Sequence, residues 1–460
     1  MSNFSSLKLS KPLLENLNSL GYLSMTDIQA QSLPQILLGK DVIGQAKTGS
    51  GKTAAFGLGI LNKLKVKQFR IQTLVLCPTR ELADQVAKEI RRLARTVHNI
   101  KVLTLCGGSA IGPQIGSLEH GAHIIVGTPG RIEDHLRRGK LKLEHLETFV
   151  LDEADRMLDM GFQSSLDAIL DKIPKQRQTL LFSATFPAQI KLLSEKLMQH
   201  PVMVHIKQEM EKSNIEQVLY KVDADTSRIG ALHRLLLHYR PLSTLIFCNT
   251  KVETKEVADG LCELGFSCLA LHGDLDQNKR DQTLVRFSNN SISVLVATDV
   301  AARGLDIDAL DAVFNYHVAR EMEVHIHRIG RTGRAGRTGI ACSLYSDKEN
   351  YKIGKLEEYL QLEFTRRALP LPGQFDQKMF TAPMATLQID GGRKQKVRPG
   401  DILGALTADK TIKGTEVGKI STFDNWTYIA VRSDIANQAL KLIENGKLKG
   451  RSFRVRRIRG

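Results

Sequence analysis

The sequence contains a short strand-and-turn pattern twice, and this repeat constrains the fold more than any other feature. "TLVLCPT" at 73–79 is echoed by "TLIFCNT" at 244–250, and "IIVGT" at 124–128 is echoed by "VLVAT" at 294–298. The two offsets, 171 and 170 residues, almost agree. Helical patterns such as 80–97 lie between the strands, and such alternation predicts βαβ units with a parallel sheet. We therefore expect two similar α/β halves.

Changes in composition along the chain predict where the domains begin and end. A polar stretch at 207–214 has the character of a hinge, and a Pro-rich stretch at 365–383 has linker composition. The remaining residues show a β-α-β-β-α-β pattern, which is typical of a small α+β RRM-like domain with one open sheet face. The expected order is a parallel-sheet domain, a second parallel-sheet domain, a linker and an RRM-like domain, at 1–206, 215–363, 364–383 and 384–460.

Positive charge is concentrated near the end of the sequence. The chain has a net charge of +16, and residues 378–460 hold 17 Lys and Arg against 7 Asp and Glu. The stretch 447–459 carries seven positive charges and no acid. Because like charges repel without compensation, this pattern favours a polyanionic partner over a merely solvated face.

Other features argue for a cytoplasmic protein without a membrane partner. No run approaches the roughly 18 apolar residues that a membrane span needs, and the N-terminal residues lack the apolar core of a signal peptide. The six cysteines include no Cys-x-x-Cys pair. We expect reduced cysteines in apolar cores rather than a metal site.

A glycine-rich stretch, "AKTGSGKT" at 46–53, follows a short strand and precedes a helical pattern. In such loops backbone N–H groups surround phosphate oxygens, Lys52 reaches the β- and γ-phosphates, and the Thr53 hydroxyl ligates Mg²⁺. The strict pattern has Gly where this chain has Ala46. The predicted ATP-binding residues of the loop are Ala46, Lys47, Thr48, Gly49, Ser50, Gly51, Lys52 and Thr53.

Three carboxylates follow an apolar strand in "TFVLDEADRML" at 148–158. Asp152, at the tip of that strand, is predicted to hold Mg²⁺, and Glu153 to orient and deprotonate the attacking water. The alternative is an acidic helix N-cap, because "DEADRML" also resembles a helix start. The phosphate loop about 100 residues upstream favours the metal.

Arginines among glycines in "HRIGRTGRAGR" at 327–337 could supply positive charge to a phosphoryl transition state. A spacing of three would bring Arg328, Arg331 and Arg334 to one side if the segment is helical. An arginine finger from the second half fits, and would make hydrolysis depend on closure of the two halves. A plain basic loop is the alternative.

Taken in order, these motifs resemble those of the DEAD-box RNA helicases, with two RecA-like domains covering residues 1 to about 363. The resemblance implies that Gln29, in "GYLSMTDIQ", reads adenine, that Phe4 stacks on it, and that Asp306 contacts the nucleotide. Ala46 is the residue usual in this family. Arg331 and Arg334 match the arginine fingers. The implied residues that couple the ATP state to RNA are Asp155, Ser183, Ala184, Thr185 and His327.

The same resemblance implies RNA contacts from both halves. They come from "PTREL", "GG" and "TPGR" in the first half, and from "IFCNT", "HGDLDQNKR" and "ATDVAARGLD" in the second. The implied RNA-binding residues are Pro78, Thr79, Arg80, Gly107, Gly108, Thr128, Pro129, Gly130, Arg131, Thr250, Gln277, Arg280 and Thr298.

The C-terminal region resembles the RNA-binding domain of the bacterial DbpA (YxiN) subfamily, in "ATLQIDGGRKQKVRPGDILGALTAD" and "VGKI". This implies an RNA-dependent ATPase directed to a 23S rRNA hairpin in pre-50S ribosomal particles, during assembly of the large subunit, and a monomer. Trp426 and Tyr428 share a strand face, but the RNP1 pattern is incomplete, so base stacking and core packing both stay open. The predicted RNA contacts are basic: Arg393, Lys394, Lys396, Arg454, Arg456 and Arg457.

The sequence thus predicts an ATP-dependent RNA helicase that uses ATP and Mg²⁺ to separate short duplexes locally. One alternative is a DNA-translocating P-loop helicase, because phosphate contacts are common to both nucleic acids. The other is an ATP-gated RNA clamp or scaffold without productive unwinding, against which Glu153 and the paired Arg331 and Arg334 argue.

Overall fold

The computed structural model describes residues 3–47, 49–206, 214–223, 226–302, 310–333, 338–373, 381–448 and 450–458. These residues form two compact units. One seven-stranded sheet lies in the first unit, and a second seven-stranded sheet and a four-stranded sheet lie in the other.

The first unit is a parallel sheet with helices on both faces. Its strands are β1 (Val42–Gln45), β2 (Thr73–Leu76), β3 (Val102–Leu105), β4 (Ile124–Gly127), β5 (Thr148–Asp152), β6 (Gln178–Ser183) and β7 (Val202–His205). Its helices are α1 (Lys11–Ser19), α2 (Asp27–Leu37), α3 (Lys52–Lys63), α4 (Arg80–Leu93), α5 (Ile111–Glu119), α6 (Pro129–Arg137), α7 (Ala154–Asp159), α8 (Gln163–Leu170) and α9 (Ala188–Leu197). The strand order is β3-β4-β2-β5-β6-β1-β7.

The second unit begins with another parallel sheet. Its strands are β8 (Ile215–Lys221), β9 (Thr244–Cys248), β10 (Cys268–Leu271), β11 (Val294–Thr298), β12 (Ala312–Asn315), β13 (Gly339–Tyr345) and β14 (Thr365–Arg367). Its helices are α10 (Arg228–Tyr239), α11 (Lys251–Glu263), α12 (Gln277–Ser288), α13 (Asp299–Ala302), α14 (Met322–Ile329) and α15 (Asn350–Leu360). The strand order is β10-β11-β9-β12-β13-β8-β14.

The two large sheets have the same topology, which confirms the repeat seen in the sequence. The echoed strands β2 and β9 are third in their sheets, and β4 and β11 are second. The central strands are buried on both faces, so they are continuously apolar rather than alternating. Separate apolar clusters pack on the two faces of the first sheet.

The second sheet extends further along the chain than the sequence suggested. Thr365–Arg367 lies in the stretch assigned to the linker, yet it forms β14 and pairs in parallel with β8. All three residues are exposed, as an edge strand allows, and the apolar signal that marks the inner strands is missing.

The C-terminal sheet has the β-α-β-β-α-β order predicted from the sequence. Its elements are β15 (Met384–Ile389), α16 (Pro399–Thr407), β16 (Val417–Thr422), β17 (Thr427–Arg432), α17 (Ala436–Asn445) and β18 (Val455–Arg457). The antiparallel strands have the order β16-β17-β15-β18. Two parallel α/β sheets and a small α+β domain are the expected fold class.

The two faces of the C-terminal sheet are covered by different parts of the chain. Leu387 and Ile429 belong to an apolar core shared with α16 and α17. On the opposite face Thr386 is buried, and its Oγ1 accepts a hydrogen bond of 3.2 Å from Asn289 Nδ2 and lies 2.7 Å from Ser291 Oγ. The second face is therefore packed against the end of α12, and the expectation of an open sheet face was wrong there.

Among the helices of the described part of the chain, none is both long and apolar enough to cross a membrane.

Thr386→Val should weaken the packing between the C-terminal sheet and the end of α12. The valine has nearly the same shape but leaves the buried Asn289 amide without its partner, at a cost of about 1–3 kcal/mol. Urea unfolding and hydrogen exchange of residues 289–291 would measure this. The matched control is Thr407→Val on α16, whose hydroxyl bonds only within its own helix; we expect its effect to stay within about 0.5 kcal/mol. Equal effects of the two changes would contradict the prediction.

Candidate functional site

The glycine-rich loop joins β1 to α3, as the sequence predicted. Gly51 caps α3 with a φ of 95°, in the left-handed region. A Cβ atom at Gly51 would lie 2.5 Å from Gln29 Nε2 and 2.9 Å from Thr26 Oγ1. Glycine is required at this position by both its conformation and its neighbours. Thr48, one of the predicted loop contacts, lies outside the described residues.

Gln29 connects the loop to α2. Its Oε1 accepts a hydrogen bond of 3.0 Å from the backbone N–H of Thr26, and its Nε2 donates one of 3.1 Å to the carbonyl oxygen of Gly51. Both ends of the amide are thus engaged, and the side chain is buried. The predicted adenine-reading residue lies directly beside the predicted phosphate loop.

Phe4 is buried in the same apolar cluster as α1 and α2. Its ring meets the ring of Tyr22 edge-on, with 6.2 Å between the centroids. The Tyr22 hydroxyl in turn donates a hydrogen bond of 2.7 Å to Glu89. Phe4 is therefore anchored to the unit that carries the loop, with its ring covered by protein.

Lys52 begins α3 and is almost fully buried. Its Nζ donates a hydrogen bond of 2.8 Å to the carbonyl oxygen of Ala46, so the ammonium group lies within the curve of the loop. The N-terminus of a helix and a buried ammonium group together make this place favourable for phosphate.

Asp152 ends β5 and faces this positive charge. The residue is 2% exposed, and its Oδ1 has no hydrogen-bond partner. Burial raises the pKa of Asp152 to about 7, although the Lys52 ammonium acts in the opposite direction. A buried carboxylate oxygen without a partner is a suitable ligand for a hard cation such as Mg²⁺, and Thr53 in the first turn of α3 offers a hydroxyl.

Glu153 has an unusual backbone conformation and an ionic partner. Its φ of 55° is in the left-handed region, and its Oε2 accepts a hydrogen bond of 2.8 Å from Arg156 Nη1. Glu153 does occupy the N-cap position of α7, but its side chain makes no capping hydrogen bond. The capping alternative therefore does not account for this carboxylate. Strained conformations of this kind concentrate at functional sites.

Asp155 ties the loop after β5 to the loop after β6. It accepts hydrogen bonds from the backbone N–H and the hydroxyl of Thr185, at 2.9 and 2.8 Å. Burial acts to raise the pKa of Asp155, but the hydrogen bonds from Thr185 outweigh it and hold the pKa below its usual value. The carbonyl oxygen of Ser183 accepts a 3.0 Å bond from Ala46 N–H. The residues around Ala184 thus connect the carboxylates to the phosphate loop.

Three neighbouring loops of the first sheet hold the predicted RNA contacts. Thr79 and Thr128 cap α4 and α6, directly after β2 and β4. Gly108, after β3, has a φ of 74°, and a Cβ there would fall 1.5 Å from Arg80 Nη1. The Arg131 guanidinium donates a 3.0 Å bond to the carbonyl oxygen of Ser109. Pro78, Gly107, Pro129 and Gly130 lie in the same loops.

The second sheet presents its predicted RNA contacts in the equivalent place. Thr250 follows β9 and caps α11, while Thr298 ends the adjacent strand β11. Arg280 donates a 2.8 Å hydrogen bond to the carbonyl oxygen of Ala301, which fixes α12 against the turn after β11. Gln277 is the first residue of α12.

The arginine-rich segment is not a continuous helix. α14 ends at Ile329, so Arg331 lies beyond it, and Arg328 is buried with two hydrogen bonds of 2.7 Å to Asp299. The condition under which Arg328, Arg331 and Arg334 would share one helical side is therefore not met between Arg328 and Arg331, because the helix ends before Gly330. Arg331 is buried and His327 is partly buried on α14; Arg334 and Asp306 lie outside the described residues.

The sequence analysis did not predict the contacts that two arginines make in this site. Arg156 of α7 pairs with Glu153, the N-cap residue of that helix. Arg328 packs over the Phe247 ring at 5.2 Å in addition to binding Asp299. The spacing of three between Glu153 and Arg156 was a usable signal, since such residues are neighbours on a helix. No local pattern links Arg328 to Asp299, which lie 29 residues apart.

In the C-terminal domain the predicted basic contacts are at the surface. Arg393, Lys394 and Lys396 are exposed beside a short 3-10 helix, and Arg454 and Arg456 are exposed in and before β18, with Arg457 partly buried. Tyr428 is only 3% exposed, and burial raises its pKa to about 12. Of the two alternatives left open for this ring, the structure shows packing rather than an exposed stacking platform.

Comparisons with known proteins agree with this arrangement. The chain matches the family models described as DEAD/DEAH box helicase, helicase conserved C-terminal domain and DbpA RNA binding domain, over residues 26–193, 227–336 and 386–457. It is 51% identical to the ATP-dependent RNA helicase DbpA of Escherichia coli (strain K12), over 100% of both chains. It is 44% identical to the DEAD-box ATP-dependent RNA helicase CshA of Geobacillus kaustophilus (strain HTA426), over 80% of this chain and 79% of that one.

A solved structure shows the same likeness over most of the chain. The S. cerevisiae protein Dbp5 bound to RNA and ADP BeF3 superimposes with a TM-score of 0.72 at 30% identity, covering 80% of this chain and 96% of that chain.

Asp152→Asn should change how stability depends on pH when nucleotide and Mg²⁺ are absent. The folded protein holds the Asp152 proton up to about pH 7, whereas the unfolded chain releases it near pH 4. Wild-type stability should therefore fall as pH rises through this window, by up to about 1.4 kcal/mol per pH unit, and the variant should lack this contribution. Urea unfolding at several pH values would measure the difference. The control is Asp171→Asn, at an exposed position, whose free energy of unfolding should depend on pH as that of the wild type does. The same pH dependence in Asp152→Asn would contradict the prediction.

Proposed function

The chain belongs to the DEAD-box family of ATP-dependent RNA helicases, with a DbpA-like RNA-binding domain, and we propose that it locally separates short duplexes of ribosomal RNA. The observation that carries this proposal is the continuous set of contacts from the phosphate loop through Ser183 to Asp155 and Thr185. A nucleotide that moves the loop would act directly on the residues that follow β5 and β6.

The first part of the proposal concerns ATP hydrolysis. Lys52 would bind the β- and γ-phosphates, and Thr53 and Asp152 would hold Mg²⁺, which supplies positive charge to the phosphate oxygens when bound. Glu153 would accept the proton of the attacking water. Because Glu153 Oε2 accepts a hydrogen bond from Arg156, the arginine competes with water for this carboxylate oxygen.

The second part concerns the nucleotide base and the arginines. Gln29 donates a hydrogen bond to the carbonyl oxygen of Gly51. An adenine that took over this hydrogen bond would therefore change the contacts of the phosphate loop. Phe4 would stack on the base only if its ring became uncovered. We assign Arg331 and Arg334 as fingers and Asp306 as a nucleotide contact on the resemblance to the family, with His327 as a coupling residue.

The third part concerns RNA. The loops after β2, β3 and β4 carry glycines and threonines at helix N-cap positions, and Arg80 and Arg131 add positive charge. Such a surface suits phosphates more than base edges. Thr250, Gln277, Arg280 and Thr298 would extend the same backbone recognition in the second sheet.

The fourth part concerns targeting to ribosomal RNA. We assign to the C-terminal domain the recognition of a 23S rRNA hairpin in pre-50S particles, which would place a monomeric protein in the cytoplasm during large-subunit assembly. What supports this is the match to the DbpA RNA binding domain together with the exposed basic side chains. Because Tyr428 and Thr386 are buried, RNA would be read from the loops and the β18 edge.

An ATP-gated RNA clamp is the second candidate, and the Glu153–Arg156 pair favours it. If Arg156, at 2.8 Å, keeps Glu153 from the attacking water, the enzyme would hydrolyse ATP slowly. The state with ATP and RNA bound would then last longer. The helicase and the clamp differ in the rate of ATP hydrolysis once RNA is bound: it is fast in the helicase and slow in the clamp.

Glu153→Gln should bind Mg·ATP and RNA but stall hydrolysis, because the variant has no base while Asp152 and Lys52 remain. We expect a fall in kcat of roughly 10²-fold or more, with little change in KM. Single-turnover ATP hydrolysis with saturating RNA would measure it. The control is Glu144→Gln, the same chemical change at an exposed residue of the same unit. If Glu153→Gln hydrolysed ATP as fast as the wild type, Glu153 would not be the base. If the wild type itself hydrolysed ATP slowly in a single turnover, the ATP-gated clamp would be favoured.

Neutralising Arg393, Lys394 and Lys396 together should weaken binding to the 23S rRNA hairpin and leave ATP turnover with unspecific RNA unchanged. The slope of log K against log salt should flatten by roughly 0.7–0.9 for each phosphate that the variant no longer neutralises. Fluorescence titration over a series of salt concentrations would measure this. The matched control neutralises three exposed lysines on helices that follow strands of the second sheet, Lys255, Lys348 and Lys355. An unaltered slope would show that these three residues do not contact RNA.

A further inference from the structure

Two cysteines meet where α11 turns into β10, away from the residues assigned to nucleotide and RNA. Cys262 is exposed in the last turn of α11, and Cys268 is the buried first residue of β10. The Cys262 thiol donates a hydrogen bond of 3.3 Å to the carbonyl oxygen of Cys268. The exposed sulfur of Cys262 therefore lies against the backbone of Cys268.

The turn between them explains this proximity. Gly265 has a φ of 92°, and its N–H donates to the Cys262 carbonyl oxygen at 2.9 Å. The N–H of Phe266 donates to the Leu261 carbonyl oxygen at 3.0 Å. These two bonds form a Schellman motif, which reverses the chain and returns the start of β10 to the last turn of α11. The fold, and not chance flexibility, sets the contact between the cysteines.

A buried arginine lies beside the pair. Arg286, near the end of α12, is only 6% exposed, and its Nε has no hydrogen-bond partner. The positive charge of Arg286 acts on Cys262, and the Asp259 carboxylate acts in the opposite direction. An arginine that is buried without a full set of partners is costly unless an anion completes its surroundings.

The two thiols differ in acidity. Hydrogen bonding from the Cys268 thiol to the sulfur of Cys262 lowers the pKa of Cys262 to about 6, with a smaller contribution from Arg286 and burial acting against both. The same hydrogen bond and burial raise the pKa of Cys268 well above its usual value. The hydrogen bond from Cys262 to the carbonyl oxygen of Cys268 requires the protonated thiol of Cys262. Once ionised, the Cys262 sulfur can instead accept a hydrogen bond from the Cys268 thiol.

We propose that Cys262 and Cys268 form a peroxide-reactive dithiol site, in which Cys262 is the attacking thiolate and Cys268 the resolving thiol. It requires neither ATP nor RNA, and it is independent of the function proposed above. An exposed thiolate beside a second thiol and a cation is the environment in which redox-sensing cysteines occur.

The reaction uses hydrogen peroxide as the two-electron oxidant. The Cys262 sulfur attacks one peroxide oxygen, an S–O bond forms, the O–O bond breaks, and the released hydroxide takes a proton to become water. Cys268 then attacks the sulfur of the sulfenic acid, the S–S bond forms, and the S–O oxygen leaves as a second water with the Cys268 proton. Both thiols are oxidised and the peroxide is reduced.

The structure also sets the expected selectivity. At pH 7 about nine-tenths of Cys262 would be ionised, against roughly 3% of an ordinary thiol. A thiolate of lower pKa is less nucleophilic, and with a Brønsted slope of about 0.45 the net gain over a free thiol is only about 2–3-fold. Buried thiols gain nothing from this, because burial raises the pKa of each of them: Cys77, Cys106, Cys248 and Cys342.

The test uses the full chain with its six cysteines, so that the buried thiols serve as internal controls. The protein is treated with a small excess of hydrogen peroxide, the remaining thiols are alkylated, and non-reduced peptides are mapped by mass spectrometry. We expect a Cys262–Cys268 cross-linked peptide, about 2 Da lighter than the two thiols together, that dithiothreitol removes. In the untreated protein the rate of alkylation of Cys262 should rise with pH with a midpoint near 6.

Two variants separate the steps of the proposed reaction. Cys268→Ala should react with peroxide at Cys262 but stop at the sulfenic acid, which dimedone captures at least 5-fold more than in the wild type. Cys262→Ser, at the exposed position, should leave Cys268 unmodified. A wild-type protein without the cross-link, or an alkylation midpoint above pH 8, would overturn the proposal even if either variant failed to fold.

Discussion

The common direction of the strands in the two large sheets is the constraint on which the rest of the structure depends. Because all strands of a parallel sheet end at one edge, the loops that follow them are brought side by side. The loops after β1, β5 and β6 meet through Ala46, Ser183 and Asp155. The loops after β2 and β3 meet through Arg80 and Gly108, and the loop after β4 joins them through Arg131. Residues far apart in sequence become neighbours because of topology alone.

The same rule explains what could be predicted from the sequence. Motifs after strands, the repeated halves and the β-α-β-β-α-β pattern were recognisable because each depends on local periodicity. β14 was assigned to the linker because an exposed edge strand of three residues has no apolar signal. The pairing of Arg328 with Asp299 and the covering of Thr386 by Asn289 depend on contacts between distant segments, which one sequence does not display.

The covered face of the C-terminal sheet changes how this domain can bind RNA. In a row across the sheet, Tyr428 pairs with Gln388, and Gln388 pairs with Arg456. The first two are buried and Arg456 is exposed, so only the β18 side of this row is accessible. Base stacking on the sheet centre would require the domain to leave α12 and to give up the hydrogen bonds of Thr386. Backbone and shape recognition by the basic edge carries no such cost.

The three carboxylates after β5 differ in how their negative charge is compensated, and this difference shows which oxygen is best suited to a cation. Asp155 accepts two hydrogen bonds from Thr185, and Glu153 is paired with Arg156. Asp152 lies just as deep, yet one of its oxygens has no partner and its pKa is raised to about 7. The unfavourable free energy of burying this cluster is therefore concentrated on one oxygen beside the phosphate loop. A divalent cation bound beside the nucleotide would relieve it there, and would then couple nucleotide binding to the stability of this edge of the sheet through Asp152.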